Sequence, residues 1–291
     1  MHGLFLAFWL ALGTPADALQ RGDDAWERRA EGQEGGLAAP ETIEAAVAAY
    51  EEALRLAPES LEAHWRLLRA LYFLGEYATT ERERKNEVFG RGRDVVEQGL
   101  DRVAQRLGGR ERLAAATPAE LHQALGAEAP VVARLYFWGT LNWGRWAEGN
   151  RMAAMRQGVA KLLRDYALRT IALDPECEHG GGHRLLGQLH AKAPVIPLIT
   201  GWVSRDTALQ ELRRAMAVAP EEPANRLYLA EALLDLEPSR RAEALAILVE
   251  LERRTPRPEY LVEDIRDFGM ARWLLAEEKK KHGTEEVKPA F

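Results

Sequence analysis

The sequence predicts an all-α protein, a stack of helical hairpins forming an α-solenoid. Three observations predict it. Apolar residues recur at helical spacing through most of the chain. One four-residue signature returns at identical offsets in four places: Ala46, Tyr50, Ala53, Pro58; Leu163, Ala167, Thr170, Pro175; Ala208, Leu212, Ala215, Pro220; and Ala244, Leu248, Leu251, Pro256. No segment sustains the period-two alternation of a half-buried strand. A unit of this kind cannot bury its apolar face alone, so copies must stack.

The offsets match the second helix of a tetratricopeptide (TPR) hairpin. There a small residue lets two helices approach, an aromatic or Leu packs on the next unit, and Pro stops the helix. First-helix chemistry is present too. His183, Leu186, Gly187 and His190 stand at i, i+3, i+4 and i+7, and Trp65, Leu68 and Tyr72 keep the matching Trp-x2-Leu spacing.

In chain order, a short first helix over residues 21–31 around Trp26 is broken by Gly32, Gly35 and Gly36. Pro40-Glu41-Thr42 starts the next helix, striped by Ile43, Val47, Tyr50 and Leu54 and ended by Pro58. Ser60 caps a helix carrying Trp65, Leu68, Tyr72 and Phe73. The alternating charges from Ala78 to Glu87 read as a solvated helix face. Val88, Val95, Val96, Leu100, Val103 and Leu107 carry a helical period to Gly108-Gly109. Thr117-Pro118-Ala119-Glu120 is a capping box with Pro at the first helical position. Pro130 opens an aromatic helix, and one long helix is expected from Arg151 to Leu173. Ala191 to Arg205, with Pro194, Pro197, Gly201 and Trp202, is longer than a repeat turn. Ser204 or Asp206 caps the helix after it. Segments 221–236 and 237–254 make another hairpin, and a last helix runs from about Pro258 to Lys281.

The net charge of −6 is mild, and the one compact basic run, Lys279-Lys280-Lys281, lies in a charged tail. Nucleic acid would need a clustered basic face, so it is excluded as a partner. Gly3 to Gly13 is a short apolar run followed by Ala16-Asp17-Ala18, an A-x-A site. The expectation is a signal peptide over residues 1–18, cleaved after Ala18, a periplasmic protein, and one repeat domain over residues 19–291. The run is too short to span a bilayer, and no other stretch is long and apolar enough. Cys177 is alone and has no disulfide partner within the chain.

The aromatic helix, VVARLYFWGTLNWGRWAEGN, is apolar nearly all round and should be central. Leu135, Trp138, Asn142 and Trp146 share one face. Two readings stand side by side: plain core packing with glycines for close approach, and an aromatic wall around a pocket. In either, Asn142 is costly unless bonded.

Several patterns bear on chemistry. Cys177, His179, His183 and His190, with Glu176 and Glu178, contain metal-ligating types. His183 and His190 are about 10 Å apart along one helix face, too far for one ion; no Cys-x2-Cys exists, and the one His-x3-His pair, His179 and His183, is interrupted by Gly180-Gly181-Gly182 and is not expected on a single regular helix. No metal and no cofactor is expected. Cys177 and His179 are two residues apart and would not meet on a helix, so no catalytic residues are assigned and the chain is read as a non-enzyme. Gly180-Gly181-Gly182 could cradle an anion at a helix start or serve as a turn between repeats. Since the first helices of TPR hairpins line the concave side, the candidate groove residues are Tyr72, Trp138, Asn142, Trp143, Trp146, His183, Gln188, His190 and Tyr228.

The order of YFWGTLNWGRW, LDPECEHGGGHRLLGQLHAKAP, DTALQELRRAMAVAPEEPANRLYLAEALL and EDIRDFGMARWLLAE resembles the T-component (TatT-like) family of TRAP transporters, best from Tyr136 to Ala276. That resemblance implies a periplasmic protein of cryptic TPR hairpins, a homotrimer with a pore in or beside each protomer. It also implies docking to a periplasmic solute-binding protein and transfer of a small hydrophobic ligand. The family's Gly-Gly-Asp before the Ala-rich helix is replaced here by Gly201-Trp202-Val203-Ser204-Arg205-Asp206, and no lipid-anchor Cys follows the apolar run. The alternative is a general TPR interaction module of the cell envelope not tied to transport.

Overall fold

In the computed structural model, which describes residues 13–196 and 200–282, each copy of the recurrent signature falls on the second helix of a hairpin. Helices α1 (Pro15–Glu27) and α2 (Pro40–Leu56) make the first hairpin; α3 (Leu61–Tyr77) and α4 (Arg82–Leu107) make the second. Two short helices follow, α5 (Arg110–Ala115) and α6 (Pro118–Leu125). Then α7 (Ala129–Gly149) packs on α9 (Val159–Leu173) across the short α8 (Arg151–Arg156). Helices α10 (Cys177–Lys192) and α11 (Arg205–Val218) form the fourth hairpin, α12 (Pro223–Leu236) and α13 (Arg241–Glu252) the fifth, and α14 (Leu261–His282) follows alone. No strand occurs among the described residues, and the fold is an all-α helical solenoid.

The signature works as hairpin geometry requires. Ala46, Tyr50 and Ala53 on α2, Ala208, Leu212 and Ala215 on α11, and Ala244, Leu248 and Leu251 on α13 are all buried. On the first helix of the fourth hairpin, Gly187 allows the close crossing. A Cβ there would stand 2.6 Å from Leu212 and 3.1 Å from the Ala208 carbonyl. Ser60 caps α3 through the Ala63 amide at 3.2 Å, and Thr117 and Glu120 form their box on α6. Ser204, rather than Asp206, caps α11.

Some boundaries differ from the expectation. The helix expected over 151–173 is two, because Gly158 takes a left-handed conformation (φ 66°) between α8 and α9. The first helix starts at Pro15 rather than near residue 21. Thr14 caps it, and Asp17 returns the bond to the Thr14 amide at 2.9 Å. The A-x-A site therefore lies inside the first turn and a half of α1, and Ala18 is fully buried beside Ala53 and Ala63. Cleavage after Ala18 would remove that cap. The apolar run before it lies outside the described residues except for Gly13, as do 197–199 in the long loop.

Helix α7 is central. It packs against α3, α4, α9 and α10, and the side chains of Leu135, Tyr136 and Phe137 are buried. Asn142, fully buried, meets part of its cost by donating from its amide nitrogen to the carbonyls of Leu68 (3.0 Å) and Trp138 (2.8 Å); its side-chain oxygen has no hydrogen-bond partner among the described residues.

The superhelix closes on itself. Helix α14 returns to the first two hairpins, where Val262 is fully buried in the core shared by α2 and α3. Arg29, only 6% exposed, bonds Glu263 at 2.9 Å and the Glu259 carbonyl, and its guanidinium stacks on Trp26. Arg266 reaches Glu76 at 3.3 Å and its carbonyl. Removing one partner of a desolvated ion pair leaves the other uncompensated. Arg29→Ala is therefore expected to cost about 3 kcal/mol. Urea unfolding of the two proteins checks this; an unchanged midpoint would mean the closing pair contributes nothing.

Candidate functional site

Closure converts the concave side into a cavity of about 570 Å³. Its walls come from the first helices of the hairpins, α1, α3, α7, α10 and α12, with α14 as the closing wall. Aromatic rings dominate one side. Tyr72 lies 5.8 Å from Trp138 between ring centres and 6.2 Å from Tyr77, and Phe137 stands edge-on to Trp138 at 5.0 Å. Tyr228 from α12 and Tyr260 from the turn before α14 face them.

A strained turn delivers two polar side chains. Glu178 (φ 47°), His179 (φ 60°) and Gly180 (φ 76°) are consecutive left-handed residues at the start of α10. Two of them are not glycine, so the backbone is held there against its preference. Asn225 of α12, fully buried, holds it: its amide nitrogen donates to the carbonyls of His179 (3.0 Å), Ala215 (2.9 Å) and Ala219 (3.0 Å). Its oxygen accepts from Arg184 at 2.7 Å. Glu178 then accepts from the Trp138 indole at 3.2 Å, and His179 meets the Tyr260 hydroxyl at 3.5 Å.

Most charges in the walls are paired. Arg145 bridges Glu76 and Glu148, Lys192 holds Glu231, and Arg257 holds Glu222 and Asp264. Two charges differ. Arg69 makes no ion pair among the described residues; it stacks on Trp26 (3.9 Å) and Trp65 (4.9 Å) with its Nε buried without a partner, and burial lowers its pKa while the Tyr50 hydroxyl and the Glu178 charge oppose that. Asp267 on α14 has no hydrogen bond or ion pair among the described residues. Desolvation, then the Glu222 charge, push its carboxyl up to about 7. Asp264 and Glu263 on its own helix add to that push and Arg184 of α10 opposes it.

Of the nine groove residues expected from the sequence, Tyr72, Trp138, Gln188 and Tyr228 line the cavity. The other five do not. Asn142 faces α3 within the core. Trp143 and Trp146 sandwich Arg93 of α4, at 3.9 and 3.7 Å. His183 turns to its own hairpin partner, bonding Glu211 of α11 at 2.6 Å. His190 accepts from the Ser204 amide at 3.0 Å and stands edge-on to Trp202, so it anchors the long loop. Lining residues absent from that expectation include Arg69, Glu178, His179 and Asp267. Arg69 shares its face with Tyr72, three residues on, and could have been found from that spacing. The Gly triplet is a turn and a packing surface: a Cβ on Gly181 would fall 2.3 Å from the Phe137 ring.

Among the described residues no group of His, Cys, Asp and Glu is arranged to hold a metal ion. Burial drives the Cys177 thiol well above its ordinary range, which leaves it without thiolate character. No family model matches the chain, and no curated protein matches it.

Asp267 makes a pH prediction. Between about pH 4, where the group titrates in an unfolded chain, and about 7, the folded protein binds the extra proton. Stability therefore falls as pH rises through that window. Asp267→Asn, a mimic of the protonated form, is expected to raise the melting temperature at pH 8 and to change it little at pH 5. An equal shift at both values would show that Asp267 does not titrate in this range.

Proposed function

We propose that this chain is a non-enzymatic helical-repeat binding protein that holds a small organic molecule in its closed concave cavity. The observation that carries the reading is the closure itself. An open TPR groove suits an extended segment of a partner, whereas α14, joined to the first two hairpins through Val262 and Arg29, narrows the concave side to a partly open cavity of ligand size, about 570 Å³, walled by aromatic rings with a few placed polar groups. The reading joins with the resemblance to TRAP-transporter T-components: an exported, periplasmic adaptor that takes up a ligand and docks a solute-binding subunit. The order of motifs and the apolar N-terminal run support that part. No helix among the described residues is long and apolar enough to cross a membrane.

Gly144 supplies the test. It lines the cavity, and a Cβ there would meet nothing within 4 Å. Gly144→Phe should fill the space, fold normally and improve helix propensity. A neutral naphthylamine dye is expected to brighten with the native protein and to lose at least about tenfold in affinity with the variant. Equal uptake by both, at equal melting temperature, would place the dye elsewhere and remove the cavity reading. For the adaptor role, sedimentation of the chain with the solute-binding subunits of its own host should give a complex; none with any subunit leaves a ligand-holding protein without that partner.

A further inference from the structure

Helix α1 uses residues that a cut after Ala18 would discard. Thr14 is its N-cap. The Thr14 hydroxyl accepts from the Asp17 amide at 3.1 Å, and its carbonyl accepts the first helical bond from the Ala18 amide at 3.0 Å. Pro15 holds the first helical position, where its missing N–H costs nothing. Asp17 completes the box, its carboxylate accepting from the Thr14 nitrogen at 2.9 Å. Ala18 is fully buried against Ala53 of α2 and Ala63 of α3. A chain beginning at Leu19 would lack the cap and the whole first turn. Its terminal ammonium would also stand on a residue packed against that alanine cluster, where a charge is costly.

We propose that the chain is processed between Gly13 and Thr14, so that the mature protein begins at the N-cap of α1. The inference rests on the export part of the proposed function and moves its processing site; the cavity reading does not depend on it. The sequence meets the requirement at this bond too. Ala11 and Gly13 put small side chains at the third and first positions before it, as Ala16 and Ala18 do before the other. The seven apolar residues from Leu4 to Leu10 come directly before Ala11. The step is a hydrolysis by a membrane-bound signal peptidase. One water is added across the Gly13–Thr14 peptide bond, Gly13 leaves with the leader as a carboxylate, and the Thr14 nitrogen takes up protons to become an ammonium. The fold already places a counter-charge there. Asp17 Oδ2 lies 2.9 Å from the Thr14 nitrogen, so a hydrogen bond to an amide becomes an ion pair. That pair offsets a positive charge at the positive end of the helix dipole.

The experiment is expression of the full chain with a C-terminal tag in its own host, followed by N-terminal sequencing and intact mass of the exported form. The expected first residue is Thr14. Ala16→Phe, at an exposed position of α1, spoils the site before Leu19 and is expected to leave the Thr14 start unchanged. Ala11→Phe is expected to abolish it. A start at Asp17 or Leu19, or loss of processing in Ala16→Phe alone, would overturn the proposal. An exported chain that keeps its apolar run would overturn it as well, and a chain found only unprocessed in the cytosol would end the export reading with it. A second readout bears on the structural reason. Chains expressed without the leader from Thr14 and from Leu19 are compared by thermal melting, and the Leu19 start is expected to melt lower by about 4 °C or more, the effect of losing a cap and its turn. Equal melting would remove the ground for choosing Gly13.

Discussion

The contact between α14 and the first two hairpins is the constraint on which the other features depend. A TPR-type stack has no intrinsic reason to stop or to close; each hairpin only needs a neighbour. Here the last helix finds its neighbour in the first hairpins. Val262 supplies the buried apolar contact, and Arg29 and Arg266 satisfy carboxylates and carbonyls that the crossing would otherwise strand. Arg29 does three things at once, since its guanidinium also lies over Trp26 and bonds both the Glu259 carbonyl before α14 and Glu263 within it.

Closure then sets the electrostatics of the interior. With α14 along the concave side, Asp267 is partly desolvated in the cavity wall and Arg69 lies against indole rings. The low-dielectric setting makes every pairing matter, and most wall charges are paired. The turn at Glu178 and His179 belongs to the same design. Its left-handed backbone is unfavourable by itself, and the buried amide of Asn225 ties its His179 carbonyl to the end of α11, which aims Glu178 at the Trp138 indole.

The hairpin architecture was legible because its determinants are local. Small, large and small residues at fixed offsets, a Pro at the end and hydroxyl caps such as Ser60 and Thr117 all act within a few residues. The site was half legible. A first helix in a stack is covered on several sides, so its apolar character does not say which side is concave. On α10, His183 faces Glu211 of its hairpin partner while Arg184 and Gln188 face the cavity, a difference of about 100° per residue. Trp143 and Trp146 were misplaced for the same reason: their aromatic surface was consumed by Arg93 of α4. Closure left no local trace, because Arg29 and Glu263 lie 234 residues apart. Glu178 and His179 gave no sign of a left-handed turn, since only the distant Asn225 makes that conformation affordable.

The central claim is that the solenoid is closed in solution. The most direct test is the distance between spin labels on Arg28→Cys and Glu259→Cys, two exposed positions on either side of the seam. The lone native thiol, Cys177, is buried and will not compete for label. The account predicts one narrow, short-distance population. A broad distribution extending to long distances would mean that α14 does not join the first hairpins, and the cavity would then be open groove.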